Sequence, residues 1–84
     1  MSPLRNSPRR VAVAARFRSE IEKAEAQGVA RADMTLHLTL GDVSQLQRDR
    51  DLPVSDIRFA EGAMWYLDVR VEQGGVTVSE LRHP

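Results

Sequence analysis

The chain has 84 residues, 12 basic and 12 acidic side chains, and no cysteine. This length accommodates a single domain. The lack of cysteine excludes disulfides, thiolate nucleophiles and cysteine-ligated zinc sites. No apolar run reaches the ~20 residues of a membrane span, and Val11 to Ala15 is too short for a secretory signal, so we expect a cytoplasmic protein without membrane contact.

The zero net charge is the sum of two oppositely charged segments. Residues 1–18 contain five arginines and no acidic residue, which gives +5, while residues 19–84 contain seven bases and all twelve acids, which gives −5. Arginine outnumbers lysine eleven to one, a usage typical of GC-rich bacterial genomes. The basic end could therefore bind a polyanion, an acidic partner, or the acidic remainder of a neighbouring subunit.

The first predicted element is a long helix. Ser7 can cap its first turn and Pro8 suits its first position, so the helix is expected to run to about Gln27 and to end at Gly28. Residues 1–6 are expected to form a flexible lead ahead of one domain over residues 7–82. Small and apolar residues at spacings of three and four predict the buried stripe of this helix: Ala14, Phe17, Ile21, Ala24 and Gly28.

A strand and a second, short helix are predicted next. Apolar residues at every second position from Met34 to Leu40 predict a half-buried strand, and Gly41 weakens the alternative of a helix through this segment. Asp42 and Gln45 resemble a capping box, which predicts a short helix ending before Pro53. Its inward-facing residues are expected to be Val43 and Leu46.

The last third of the chain predicts a meander of three strands. They are expected over residues 57–60, 63–72 and 76–81, with turns at Glu61–Gly62 and at Gly74–Gly75. In the long strand, strict alternation places four apolar residues on one face: Trp65, Leu67, Val69 and Val71.

These elements predict an α+β fold in the order α-β-α-β-β-β. One long N-terminal helix would pack on a small, mostly antiparallel four-stranded sheet, with the second helix short. One contiguous core is expected between the first helix and the long strand: Phe17, Ile21, Trp65, Leu67 and Val69. A core this small leaves stability marginal, which favours a homodimer.

The sequence offers no pattern typical of an enzyme. His37 is a possible base, but its predicted position between two threonines on a polar strand face is typical of a solvated residue. Asp49, Asp51 and Asp56 lack the glycine and glutamate of a calcium loop. No phosphate-binding glycine loop or nucleophile motif occurs. We therefore expect no catalytic residue, no metal and no cofactor.

Protein binding is the leading functional hypothesis. Strict alternation places Met64 and Tyr66 on the sheet face away from the first helix, near His37 and Arg58. This apolar patch on a polar face could bind an unidentified protein or a second copy, and the alternative is that the short second helix covers it.

Nucleic-acid binding is the second hypothesis. Arg9, Arg10 and Arg16 lie in the basic end of the chain, where cations oppose the dipole of the predicted helix and so do not serve to stabilise it. Contacts with phosphates would give weak, salt-sensitive binding.

Overall fold

The computed structural model describes residues 12–84, and its first element, α1, spans Val13–Ala26. Ala12 is extended, with φ −58° and ψ 143°, and no side chain caps the helix. The 14-residue α1 is therefore shorter than the long helix that we predicted. The non-helical backbone of Ala12 places the first residue of the helix at Val13. Ser7, Pro8 and the predicted lead lie outside the described residues.

The end of α1 follows the prediction. Gly28 has φ +95°, in the left-handed region that glycine adopts without strain. Its N–H donates to the carbonyl of Glu25 at 3.0 Å, and the N–H of Val29 donates to that of Ala24 at 3.1 Å. This pair of bonds forms a Schellman motif, which satisfies the last carbonyls of the helix.

The first strand ends, and the second helix begins, at earlier residues than predicted. Strand β1 spans Thr35–Leu38 and α2 spans Leu40–Arg48. The prediction of Asp42 as the cap was wrong, because the hydroxyl of Thr39 accepts the N–H of Asp42 at 3.2 Å and starts the helix three residues sooner. The prediction of the inward residues of α2, Val43 and Leu46, is confirmed.

The predicted long strand is two strands. β2 spans Ile57–Ala60, β3 spans Ala63–Tyr66 and β4 spans Val69–Gln73, and the predicted turn at Glu61–Gly62 is confirmed. Leu67 and Asp68 have φ of 51° and 66°, so they form a two-residue turn of the type I′ kind between β3 and β4. Leucine is atypical of that turn and no glycine follows it, which is why the sequence pattern did not indicate the turn.

Within residues 12–84 the sheet has five strands, not the predicted four. β5 spans Glu80–Arg82 and pairs antiparallel with β1. The predicted hairpin at Gly74–Gly75 was wrong, because the chain after these glycines passes beyond β1 and does not return along β4. The strand order is β2-β3-β4-β1-β5, with β1 parallel to β4 and every other pair antiparallel.

The fold is α+β as predicted, and both helices lie on one face of the sheet, which gives two layers. The core joins one side of every central strand to α1 and α2. Its buried residues are Ala14, Phe17, Ile21, Ala24, Met34, Leu36, Leu38, Val43, Leu46, Met64, Tyr66, Val69 and Val71.

The predicted core is confirmed at Phe17, Ile21 and Val69, and the half-buried Leu67 packs against it. The prediction was wrong at Trp65, which is half-buried and is not part of the core. The turn between β3 and β4 explains the error. Tyr66 pairs with Val69 in the register, so even-numbered residues before the turn share a face with odd-numbered residues after it. The inward residues of β3 are therefore Met64 and Tyr66.

Candidate functional site

The second face of the sheet, which we call the outer face, is not covered by any of the described elements. Its residues alternate with the core residues of each strand, and the register aligns one residue from every strand in a single row. In strand order, this row consists of Arg58, Trp65, Arg70, Thr35 and Arg82. It joins three guanidinium groups and the chain's single tryptophan.

Arg58 and Trp65 form the aromatic part of the outer face. They are paired in the register of β2 and β3, and the guanidinium carbon of Arg58 lies 5.2 Å from the centre of the indole ring. The indole N–H donates to the carbonyl of Ala60 at 3.2 Å. This bond and the cation–π contact fix the half-buried ring on the surface instead of in the core.

Each arginine of the row has an acidic neighbour. Arg58 Nη2 lies 3.5 Å from Asp68 Oδ1, Arg70 Nε lies 3.2 Å from Glu72 Oε2, and Arg82 pairs with Glu80. All three pairs are exposed, so each contributes only about 0 to 1 kcal/mol to stability. Three cations and three anions leave this face with no net charge, which disfavours a polyanion as its ligand.

His37 lies on the outer face between two glutamates. In the register it is opposite Glu72 of β4 and opposite Glu80 of β5. Within residues 12–84, no three histidine, aspartate or glutamate side chains come close enough to hold a metal ion. The histidine therefore belongs to a polar row, and its neighbours do not form a metal centre.

Of the four residues predicted to bind a partner, two lie on the outer face and two lie in the core. His37 and Arg58 lie on the outer face as expected. Met64 and Tyr66 were wrongly placed there, since they are 2% and 1% exposed and belong to the core. The tryptophan that the pattern assigned to the core takes their place. The exchange follows from the two-residue turn at Leu67–Asp68. This turn is identified by the positive φ angles of both residues, and the sequence pattern did not indicate it.

Of the arginines predicted to contact nucleic acid, only Arg16 lies in the described residues. Its Nε is 3.2 Å from Glu20 Oε2, its Nη2 donates to the carbonyl of Ser79 at 3.3 Å, and its guanidinium covers the ring of Phe17 at 4.6 Å. These contacts are within the chain, so Arg16 has a structural role. Arg9 and Arg10 lie outside the described residues.

A shallow hollow of about 260 Å³ lies beside the start of α1. It is lined by Ala12, Ala14, Ala15, Arg18, Asp49, Asp51, Leu52 and Tyr66. The hydroxyl of Tyr66 donates to the carbonyl of Ala14 at 3.1 Å, and burial raises the pKa of Tyr66. The phenol therefore stays protonated at neutral pH and already has a partner, so it is a poor candidate for acid–base chemistry.

Comparison of the chain with protein-family models, with curated proteins and with solved structures finds no match. Across the part of the chain that the structure describes, no helix has the length and apolar character needed to cross a membrane.

Proposed function

We propose that this protein is a non-enzymatic protein-interaction module that binds its partner through the outer face. The observation that supports this most is the position of Trp65, which is held by Arg58 and by the carbonyl of Ala60 on a sheet face that no element of residues 12–84 covers. Tryptophan and arginine are the residues most enriched at the energetic centres of protein interfaces. An indole that is already oriented loses little side-chain entropy on binding.

The charge pattern favours a protein over a nucleic acid as the partner. A phosphate backbone needs an excess of unpaired cations, whereas each arginine of the row has a carboxylate beside it. Alternating charges around an aromatic centre suit a folded protein surface, on which both signs occur. Nucleic-acid binding remains supported only by the +5 segment, residues 1–18. A bacterial, cytoplasmic setting is part of the proposal and rests on composition alone.

Site-specific photo-crosslinking in the cells that produce the protein tests this proposal. A benzophenone side chain replaces Thr35, which lies between Arg70 and Arg82 on the outer face, or Gln47, an exposed residue of α2 that serves as the matched control. We expect a discrete protein adduct from position 35 and none from position 47. The purified partner should then bind the wild-type protein at least tenfold more tightly than the Trp65→Ser variant, as for an interface hot spot.

Three results would overturn the proposal. These are equal adducts from both positions, an adduct with nucleic acid alone, or a partner whose affinity does not change with Trp65→Ser. A second copy of this chain as the adduct would support it, because a homodimer is one form of the proposed interaction.

A further inference from the structure

The outer face carries a second row beside the first. It lies two residues away from the first row in each strand, on the same side of the sheet. In strand order, it consists of Ala60, Ala63, Glu72, His37 and Glu80. The register pairs Ala60 with Ala63, and His37 with both glutamates; one further step of the β3–β4 register places Ala63 beside Glu72. We call the first set the arginine row and the second the glutamate row. They lie about 7 Å apart, since each strand residue advances about 3.3 Å.

The two rows complement each other in four of the five strands, either in charge or in size. In β4 the arginine row has Arg70 where the glutamate row has Glu72, and in β5 it has Arg82 where the other has Glu80. In β2 and β3 the large side chains of the arginine row stand beside alanines in the glutamate row. Charge therefore reverses between the rows in β4 and β5, and side-chain size reverses in β2 and β3.

We infer that the partner of the outer face is a second copy of this chain, packed face to face about a two-fold axis that runs parallel to the rows and midway between them. This inference rests on the proposed function and names its partner. The axis places the arginine row of each copy over the glutamate row of the other, with each strand against its own symmetry mate. The two sheets lie about 10 Å apart, with their strands within about 30° of antiparallel.

This arrangement matches opposite charges and matches large side chains with small ones. Arg70 of each copy faces Glu72 of the other, and Arg82 faces Glu80, so symmetry produces four ion pairs. The indole of Trp65 in each copy faces the alanines of the other, where the small side chains leave room for it. A two-fold interface requires such self-complementarity, because each contact is made twice.

The alternative two-fold axis, parallel to the strands, is unfavourable. It would place the arginine row of one copy over the arginine row of the other, and like charges opposite each other are destabilising. The contacts within one copy do not oppose the favoured arrangement, because each exposed pair is weak and its groups can also bind the second copy.

The size of the face predicts a weak dimer. Five strands make it about 24 Å wide. The strands have only three to five residues, so the face is small compared with the roughly 800 Å² that each partner contributes to a standard interface. We therefore expect a dissociation constant in the micromolar range.

A charge-exchange experiment tests the arrangement by sedimentation velocity. The Arg70→Glu variant places carboxylates opposite each other, and the Glu72→Arg variant places guanidinium groups opposite each other, so each alone should dimerise at least tenfold more weakly than wild type. An equimolar mixture of the two variants should form heterodimers with an affinity close to that of wild type, because the pairs across the axis are then of opposite charge. Lys23→Glu on α1, an exposed charge reversal away from this face, is the matched control and should dimerise like wild type.

Two results overturn the inference. One is a wild-type protein that remains monomeric at about 1 mM, and the other is a mixture of the two variants that stays as monomeric as each alone. Circular dichroism of each variant at low concentration establishes that the monomers are folded. The proposed function fails separately, since a different protein crosslinked at position 35 would support that function while overturning the two-copy inference.

Discussion

Tyr66 is both a core residue and a link to the start of α1. It is 1% exposed, and its hydroxyl donates to the carbonyl of Ala14 across 52 residues of sequence. The sequence could predict Phe17 and Ile21 as core residues, because helical periodicity is unbroken along α1. It could not distinguish Tyr66 from Trp65, because the choice between adjacent strand residues depends on the register, and one misplaced turn exchanges the two faces.

Substitutions at these two aromatic residues should therefore differ in stability. Tyr66→Ala is expected to cost about 3 to 5 kcal/mol, comparable with Phe17→Ala, because each leaves a cavity in the core. Trp65→Ala should cost about 1 kcal/mol, since its ring is half-buried on the surface. Urea unfolding at a concentration well below the dissociation constant of the expected dimer, where the monomer predominates, measures the three free energies. A greater loss for Trp65→Ala than for Tyr66→Ala would contradict the assignment of the faces.

The turn at Leu67–Asp68 controls how the central elements are arranged. Both residues have positive φ, yet neither is glycine or asparagine. Leu67 packs against the core, its N–H donates to the carbonyl of Asp56 at 2.9 Å, and its own carbonyl accepts from Arg31 at 2.9 Å. Contacts distant in sequence thus impose a turn that local preference does not favour. The Glu61–Gly62 turn, in contrast, can be predicted from the sequence, because glycine is a usual residue of two-residue hairpin turns.

Relieving this backbone strain should stabilise the protein. Asp68→Gly removes a Cβ at φ 66° and is expected to raise the free energy of unfolding by about 0.5 to 1 kcal/mol. The exposed contact of Asp68 with Arg58, at 3.5 Å, contributes little to stability. Asp68→Ala is the matched control, because it removes the same carboxylate and keeps the Cβ. Equal midpoints for the two variants in thermal unfolding would exclude relief of strain as the cause.

The last segment of the chain connects the sheet to both helices. β5 pairs with β1 after the chain has passed β4, and Ser79, the residue before β5, hydrogen-bonds to both helices. The buried Ser79 accepts the N–H of Thr39 at 2.9 Å and donates to the carboxylate of Asp42, while its carbonyl accepts from Arg16. Alternation predicted a strand through this segment, but it could not indicate a pairing with β1 because that pairing joins residues more than 40 positions apart.

Ser79→Ala should therefore destabilise the whole fold rather than its end alone. The substitution leaves the N–H of Thr39 without an acceptor and the carboxylate of Asp42 without its donor at the start of α2, and we expect a loss of about 2 kcal/mol. Thr77→Ala removes a hydroxyl from an exposed residue of the same segment and should change stability by less than about 0.5 kcal/mol. Urea unfolding compares the two variants, and hydrogen exchange of the β1 amides should accelerate only in Ser79→Ala, because β5 and the start of α2 flank that strand. If both variants unfold at the same urea concentration as wild type, the buried serine does not join these elements energetically.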